Sequence, residues 1–384
     1  MKSKFPLKKF KSLTTPFYYY DTDVLNQTLQ ALTKEADKYN YRIHYAVKAN
    51  ANPRILSLIQ KYGLGADCVS GGEIQAAVNA GFAGDKIVFA GVGKADWEIN
   101  LGLDLDIFCY NVESIQELEV INELAKIRGK SVQVAFRMNP EVDAHTHHHI
   151  TTGTKEDKFG INRDQLDEVL DKVNTMESIR LIGLHFHIGS QISDSEPFQE
   201  LCKRTVEIQE QLAKRRVKIE HINFGGGLGI DYENPDQNLI PDFKTYFQLF
   251  HTFFPAEPYQ QIHFEPGRAI VGQCGSLISK VLYVKEGSSK KFVVLDAGFT
   301  ELIRPAFYGA YHQIENLSSE APEETYDVVG PICESSDCFA KAILLNKMER
   351  GDLMVLRSAG AYGEIMASQY NCRKPAKVYF SDLL

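Results

Sequence analysis

The sequence predicts a closed (β/α)8 barrel with a second, C-terminal antiparallel β domain. Two observations support this fold class: eight short apolar runs alternate with helix-compatible stretches, and the pattern changes after Gly267. Short β-rich runs alternating with helical segments indicate a parallel sheet with crossover helices, and eight of them over this length are typical of a barrel. The eight predicted strands are residues 42–47, 66–70, 86–90, 106–110, 132–137, 180–187, 220–224 and 261–265.

The second domain follows from the length of the chain and from its later pattern. The chain has 384 residues, whereas one barrel takes about 250. After Gly267, short runs of alternating apolar and polar residues indicate antiparallel strands. We therefore assign residues 26–271 to the barrel and residues 272–384 to the β domain. We expect residues 1–25 to join the sheet of that domain through the aromatic run that starts at Phe17.

Composition and charge argue against several classes of partner. The net charge of −8 and the pI near 5.8 provide no general attraction for nucleic acid or an anionic membrane. The basic opening, residues 1–12, lacks the apolar core of a signal peptide, and no apolar run approaches the roughly 20 residues of a membrane helix. Seven cysteines without CxxC spacing argue against a disulfide framework and a structural zinc site. We expect a cytoplasmic protein.

Polar and glycine residues follow the predicted strands. Catalytic groups in such barrels gather at the C-terminal ends of the strands. The residues in that position are Lys48, Asp67, His187, the glycines at 225–227 and Glu265.

Two glycine-containing turns are candidates for phosphate binding. Three successive glycines, residues 225–227, follow the seventh predicted strand, and Glu265-Pro-Gly-Arg268 follows the eighth. Glycines free the backbone N–H groups to point at one anion, and barrels commonly bind phosphate after strands seven and eight. A plain tight turn is the alternative for either segment alone, but two neighbouring turns of this kind favour a phosphate site.

A lysine after the first strand and a phosphate site after the last two are the anchors that pyridoxal 5′-phosphate needs. The cofactor also needs an acid opposite its pyridine nitrogen, and the Glu265 carboxylate suits this role because it keeps the nitrogen protonated. His187 and His185 point inward by strand alternation, so an imidazole is available to stack on the cofactor. The alternatives are a salt-bridged rim carboxylate for Glu265 and a hydrogen-bonded core histidine for either imidazole.

Nine segments together carry a resemblance to a known family over essentially the whole chain. They are Tyr45-Ala-Val-Lys-Ala-Asn50, Arg137-Met-Asn-Pro140, Lys158-Phe-Gly-Ile161, His185-Phe-His-Ile-Gly-Ser-Gln191, Gly225-Gly-Gly-Leu-Gly-Ile230, Glu265-Pro-Gly-Arg268, Arg304-Pro-Ala-Phe-Tyr308, Cys333-Glu-Ser-Ser-Asp337 and Gly360-Ala-Tyr362. In this order they resemble the fold-type III pyridoxal-phosphate-dependent decarboxylases. Among these, the chain is most similar to members that act on meso-2,6-diaminopimelate.

The resemblance implies the residues that bind the cofactor. Lys48 would bond covalently to it, Glu265 would pair with the ring nitrogen, and His187 would stack on the ring. The remaining cofactor residues would be Ser190, Gly227, Gly267 and Arg268 near the phosphate, with Tyr362 completing the site.

The resemblance also implies the substrate site. Arg268, Arg304 and Tyr308 would bind the carboxylate at the non-reacting end of the substrate, beside Tyr362. Glu334 would contact the distal amino group, and Cys333 would be the catalytic proton donor. In this family the Cys-Glu-Ser segment enters the active site of the neighbouring subunit, so the implied assembly is a homodimer with two shared sites.

The implied reaction is decarboxylation of meso-2,6-diaminopimelate to L-lysine and CO2, the last step of lysine biosynthesis. Alternative substrates within the family are carboxynorspermidine, ornithine and arginine. Arg268 argues against the first, and the combination of Arg304, Tyr308 and Glu334 argues against the other two. A racemase of the same fold is disfavoured because its ring-nitrogen partner is an arginine, whereas this chain has Glu265.

Two further alternatives belong to other classes. The histidines at 145 and 147–149 are potential zinc ligands, but adjacent histidines seldom all reach one ion, and residues 143–161 match a family loop over the active site. We therefore predict no metal. A binding protein without catalysis is disfavoured because Lys48 and Cys333 are both present. Asp67 and Glu73 have no assigned role beyond orienting Lys48 or the ring, and a rim salt bridge is their alternative.

Overall fold

A computed structural model describes residues 5–142 and 158–384 of the chain. The chain divides into two units. The barrel unit contains residues 29–229 and 242–267, and the sheet unit contains residues up to 28, 230–241 and 268–384. Among the described helices, none combines the length and apolar composition that crossing a membrane requires.

The strands of the described residues fall into one closed barrel and one open sheet. In chain order they are β1 (Phe17–Tyr20), β2 (Arg42–Ala46), β3 (Gly65–Cys68), β4 (Ile87–Phe89), β5 (Cys109–Val112), β6 (Val132–Arg137), β7 (Ile179–His185), β8 (His221–Asn223), β9 (Gln261–Phe264), β10 (Gly275–Glu286), β11 (Lys291–Leu295), β12 (Ile314–Asn316), β13 (Glu323–Val329), β14 (Cys338–Asn346), β15 (Leu353–Leu356) and β16 (Lys377–Phe380).

The helices of the described residues mostly connect successive barrel strands. In chain order they are α1 (Leu7–Phe10), α2 (Thr22–Asp37), α3 (Pro53–Gln60), α4 (Gly71–Asn79), α5 (Asp96–Asp104), α6 (Ile115–Ile127), α7 (Leu166–Val173), α8 (Glu196–Lys214), α9 (Phe243–Phe253), α10 (Arg268–Val271) and α11 (Arg304–Tyr308).

The predicted fold class is confirmed. Strands β2 to β9 form a closed barrel in which each strand is parallel to its neighbours. The open sheet has the order β12-β15-β10-β11-β13-β14 and is mostly antiparallel, with β11 and β13 paired in parallel. Strand β1 pairs antiparallel with β10 and parallel with β16.

The fourth barrel strand, β5, begins three residues later than the sequence predicted. We expected residues 106–110, but the strand is Cys109–Val112. Asp106 has a φ of 49°, in the left-handed region, within the turn that follows α5. A residue in that conformation cannot continue an extended strand, so the strand begins only after the turn.

An aromatic cluster packs α9 against the outer face of the barrel. The ring centroid of Phe250 lies 4.7 Å from that of Phe224 and 4.8 Å from that of Phe264. Tyr246, one turn earlier on α9, lies 5.2 Å from Phe250. All four side chains are buried, and aromatic pairs at such distances contribute stability beyond their buried area. The cluster therefore fixes the helix beside the two strands that precede the glycine-containing turns.

Three histidines form a hydrogen-bonded row at the end of the barrel where the strands begin. His44 Nε2 lies 3.0 Å from His263 Nδ1, and His263 Nε2 lies 3.0 Å from His221 Nδ1. His44 Nδ1 lies 3.3 Å from the carbonyl oxygen of Lys86, which can only accept, so each ring donates from Nδ1. Burial lowers the pKa of all three imidazoles. They line a cavity of about 670 Å³ at this end, where barrels carry stability rather than catalysis.

The aromatic cluster yields a prediction about stability. Replacing Phe250, which is 1% exposed, by Ala should lower the free energy of unfolding by about 3–5 kcal/mol, because the change leaves a cavity between α9 and the barrel. Phe253→Ala is the matched control, since this residue lies on the same helix and is 48% exposed. It should change stability by less than about 0.5 kcal/mol. Urea unfolding of both variants measures the difference, and equal effects would contradict the packing described here.

The histidine row yields a prediction about pH. Below the ordinary histidine pKa of 6.5 the unfolded chain binds more protons than the folded protein, because the pKa values of the row are lowered on folding. The free energy of unfolding should therefore decrease as the pH falls from about 7 to about 5. His263→Asn should flatten this dependence, whereas His251→Asn, at an exposed position, should leave it unchanged. Urea unfolding across this pH range provides the test, and identical slopes for the two variants would count against it.

Candidate active site

The carboxylate of Glu265 is the centre of a polar cluster inside the barrel. It follows β9 and is only 6% exposed. His185 Nε2 donates to its Oε2 at 2.8 Å, Asn223 Nδ2 donates to its Oε1 at 2.6 Å, and the amide of Asn111 lies 3.4 Å from Oε1. These partners come from β7, β8 and β5, so closure of the barrel is what brings them together. His185 and the two asparagines were not predicted as partners of Glu265.

The polar cluster decides which carboxyl group carries charge. Burial alone would raise the pKa of Glu265, but the charge and hydrogen bond of His185 outweigh burial and lower the pKa to about 2. Asp67 behaves in the opposite way: burial and the charge of Glu265 raise its pKa well above the ordinary value, although Lys48 acts in the other direction. The pKa of Glu265 is therefore lowered while that of Asp67 is raised, since two buried like charges repel.

Lys48 follows β2 within a short 3-10 helix, Val47–Ala49. Its charge contributes to the lowered pKa of Glu265 and of His187, and it opposes the rise that burial causes in the pKa of Asp67 and Glu73. A charge that acts on all four groups lies close to all of them. The structure therefore brings the predicted amine together with the predicted acid and imidazole.

Asp67 and Glu73 differ in their surroundings. Asp67 is 2% exposed, and within the described residues its Oδ1 has no hydrogen-bond partner. Glu73 instead accepts from the N–H of Val69 at 2.8 Å, while Ser70 Oγ accepts from the N–H of Glu73 at 3.2 Å. Ser70 therefore caps the start of α4, and the Glu73 carboxylate binds the N–H of the residue before this cap. Glu73 thus serves the helix end, whereas Asp67 presents an unsatisfied oxygen to the interior of the site.

The imidazole of His187 is held as a neutral ring. Burial lowers its pKa well below 6.5, and the charges of Lys48 and Arg137 add to the effect. Its Nδ1 faces the N–H of Gly226 at 3.5 Å, which assigns the proton to Nε2. A neutral imidazole at the end of β7 can lie against an aromatic ring without introducing another charge.

The glycine turn after β8 requires the absence of side chains. A Cβ on Gly225, whose φ is 69°, would lie 2.2 Å from the carbonyl oxygen of Phe186, and one on Gly226 would lie 2.4 Å from that of Glu265. Gly227 has a φ of 109°, and a Cβ there would lie 3.2 Å from the carbonyl oxygen of Gly189. The turn therefore lies against the loops that follow β7 and β9.

The backbone of these turns offers donors to an anion. In the part of the chain that the structure describes, the N–H groups of Gly227 and Gly267 make no backbone hydrogen bond. A Cβ on Gly267 would lie 3.0 Å from the Cβ atoms of Ala46 and Ala49, on either side of Lys48. Both turns thus present N–H groups at the end of the barrel that carries the lysine. These donors fit the phosphate of a pyridoxal cofactor, and the unsatisfied Asp67 Oδ1 fits a polar ligand beside them.

The sheet unit contains a cluster of two buried arginines, Arg268 and Arg304. Nη1 of Arg268 donates to the hydroxyl of Tyr232 at 2.6 Å, and its guanidinium carbon lies 4.9 Å from the ring centre of Tyr362. The guanidinium carbon of Arg304 lies 5.0 Å from the ring centre of Tyr232. Tyr308 lies four residues after Arg304 on α11, on the same helical face. We call these five residues the arginine cluster; Tyr232 was missed from sequence because no motif includes it.

Cys333 and Glu334 lie in an exposed loop of the sheet unit. The loop is shaped by the buried Asp337, whose carboxylate accepts from the N–H groups of Ile332 and Phe299 at 2.7 and 2.6 Å. Glu334 accepts from the hydroxyl of Tyr370 at 2.8 Å. Their roles as proton donor and as substrate contact stay predictions.

Part of the predicted active-site loop lies outside the described residues. The histidines at 145 and 147–149, considered as an alternative zinc site, fall there, as do residues 143–157 of the loop. The described end of the loop contacts the barrel, because the N–H of Gly160 donates to Glu113 Oε2 at 3.1 Å and Phe159 stacks on Arg137 at 4.6 Å. Residues 5–142 and 158–384 contain no group of three potential ligands that could hold a metal ion.

Known proteins resemble this chain in sequence and in structure. Residues 22–272 match the family described as the pyridoxal binding domain of pyridoxal-dependent decarboxylases. Diaminopimelate decarboxylase of Bacteroides thetaiotaomicron is 64% identical and covers 100% of both chains, and that of Aquifex aeolicus is 39% identical over 94% of this chain and 85% of its own. The crystal structure of Helicobacter pylori diaminopimelate decarboxylase complexed with L-lysine is 40% identical, with a TM-score of 0.91, over 97% of this chain and 93% of that one.

These matches extend over both units of the chain. The chain therefore belongs to the pyridoxal-dependent decarboxylases and, within them, to the diaminopimelate decarboxylase family.

Proposed function

We propose that the protein removes one carboxyl group from meso-2,6-diaminopimelate, with pyridoxal 5′-phosphate as cofactor, to give L-lysine and CO2. The observation that carries the proposal is the buried Glu265 carboxylate, held ionised by His185 and Asn223. The reaction would be the last step of lysine biosynthesis in the cytoplasm. Support for the substrate comes from the full-length diaminopimelate decarboxylase relatives and from the related structure that binds L-lysine.

The barrel residues would hold the cofactor by its reactive and its charged ends. Lys48 would provide the amine for the covalent bond, and Ser190 with the N–H groups of Gly227 and Gly267 would bind the phosphate. When bound, the cofactor withdraws electrons from the substrate α-carbon, which allows the bond to the departing carboxyl group to break. The ionised Glu265 would keep the ring nitrogen protonated, and the neutral His187 would cover the ring face.

The sheet unit would supply the groups that recognise the substrate. Arg304, Tyr308 and Arg268 would bind the carboxylate at the end of the substrate that does not react, since an arginine can grip a carboxylate through two hydrogen bonds. Arg268 and Tyr362 would also serve the cofactor. A site that binds a second, non-reacting carboxylate favours a substrate with two carboxylates over ornithine or arginine, which have only one.

The exposed loop would complete the reaction. Glu334 would contact the distal amino group, and the thiol of Cys333 would donate the proton that replaces the departing carboxyl group at the α-carbon. We propose that this loop acts in the site of a second copy of the chain, so that the working form is a homodimer. The exposure of both side chains is compatible with such an arrangement.

Release of CO2 by the purified protein with pyridoxal 5′-phosphate tests the substrate assignment. The protein should release CO2 from meso-2,6-diaminopimelate, and much less from L-ornithine, L-arginine or carboxynorspermidine. Lys48→Ala should abolish release, whereas Lys86→Ala, at the opposite end of the barrel and exposed, should not. Release from another substrate instead would overturn the assignment while keeping the cofactor.

Arg304→Ala tests the recognition of the distal carboxylate. Loss of charge-assisted hydrogen bonds should raise the KM for meso-2,6-diaminopimelate by roughly 10-fold to 100-fold. Cofactor binding, followed by its visible absorbance, should be unchanged. Arg350→Ala is the control, since this arginine lies in the same unit and stacks on the exposed Tyr283. An unchanged KM for the Arg304 variant would refute the assignment.

A further inference from the structure

His312 links Arg304 to the edge of the open sheet. Nη1 of Arg304 lies 2.8 Å from Nε2 of His312, and Nδ1 of His312 lies 2.8 Å from the carbonyl oxygen of Arg357. The imidazole is 4% exposed. Both ring nitrogens are therefore engaged, one toward the arginine cluster and one toward the sheet.

The two partners of His312 fix its protonation state. A guanidinium can only donate a hydrogen bond, and a carbonyl oxygen can only accept one. His312 therefore carries its proton on Nδ1 and offers the lone pair of Nε2 to Arg304. Burial lowers the pKa of His312 to about 3, and the charge of Arg304 adds to the effect. The ring stays neutral at any pH at which the protein would work.

The far end of this chain of hydrogen bonds is anchored by ion pairs. Nη2 of Arg357 lies 2.6 Å from Asp236, and its Nη1 lies 2.8 Å from Glu315. Its N–H donates to the carbonyl oxygen of Gln313 at 2.9 Å, where β12 and β15 are paired. The carbonyl group that orients His312 thus belongs to Arg357, whose side chain is fixed by ion pairs and whose N–H is fixed by a backbone hydrogen bond.

The groups that the structure shows in contact with Arg304 carry no negative charge. No described carboxylate lies within ion-pair distance of it, and its neighbours are His312 and the ring of Tyr232, which meets the imidazole edge-on at 5.3 Å. Burial lowers the pKa of Arg304, and the nearby charge of Arg268 acts in the same direction. An internal carboxylate at the place of His312 would neutralise this charge, whereas an imidazole orients the guanidinium and leaves the charge for an anion.

We propose that His312 is a positioning residue that aims the guanidinium of Arg304 at the distal carboxylate of the substrate without neutralising it. The inference rests on the proposed function, because it assumes that Arg304 binds that carboxylate. His312 acts through Arg304 and contributes nothing to the cofactor or to proton transfer. It therefore governs the affinity for substrates that bear a second carboxylate.

Two amide substitutions separate the two hydrogen bonds of His312. In His312→Asn the shorter side chain places its amide where Nδ1 lies, so it keeps the bond to Arg357 and removes the acceptor from Arg304. In His312→Gln the longer side chain places its amide oxygen where Nε2 lies, so it restores that acceptor. The Asn variant should raise the KM for meso-2,6-diaminopimelate roughly 10-fold with little change in kcat, and the Gln variant should recover most of the loss.

Three outcomes distinguish the possible failures. If Arg304→Ala raises the KM but both His312 variants retain the wild-type value, the role of His312 is wrong and the proposed function stands. If Arg304→Ala itself leaves the KM unchanged, Arg304 does not bind the distal carboxylate and the inference loses its premise, whereas CO2 release from meso-2,6-diaminopimelate tests the proposed function separately. The double variant of Arg304→Ala with His312→Asn should have the KM of Arg304→Ala alone, and additive effects would overturn the inference.

Thermal unfolding of each variant identifies a purely structural loss, which would lower the unfolding temperature of both His312 variants without the difference in KM.

Discussion

The charge on Glu265 is the constraint around which the barrel site is built. A carboxylate removed from water is destabilising unless other groups replace the lost hydrogen bonds. His185 and Asn223 supply those bonds from two neighbouring strands, and their spacing depends on the parallel register that pairs them. Burial raises the pKa of Asp67, and the charge of Glu265 adds to this effect. The ionised Glu265 therefore influences the pKa of its buried neighbour.

The sheet unit uses the converse arrangement. Its arginine cluster buries two positive charges, and the groups that contact Arg304 are aromatic or neutral rather than anionic. The nearby carboxylates of Asp236 and Glu315 form ion pairs with Arg357 at the sheet edge, not with Arg304. A positive charge that is oriented but not neutralised is what the recognition of a carboxylate requires. Charge pairing thus stabilises the scaffold, and neutral contacts shape the site.

The sequence predicted those features that depend on local pattern. Strand periodicity located the barrel and the strand-end positions of Lys48 and Glu265, because side chains and turns follow directly from the order of residues along each strand. The hydrogen-bond partners of Glu265 were not predictable, since Asn111 and Asn223 are 154 and 42 residues away from it and meet it only in the closed barrel. The late start of β5 was not predicted, because it depends on the left-handed backbone conformation of Asp106.

His187 and His312 are both neutral imidazoles, and their roles could not be predicted from the residue type alone. The place of His187 after a predicted strand indicated its role, whereas His312 lies outside every motif found in the sequence. Both have lowered pKa values because burial penalises the imidazolium and nearby cations repel it. In each case the ring serves as an oriented, uncharged group beside a cation, Lys48 in the barrel and Arg304 in the sheet unit. An uncharged ring can therefore orient a neighbouring cation without neutralising it, and such a cation stays able to bind an anion.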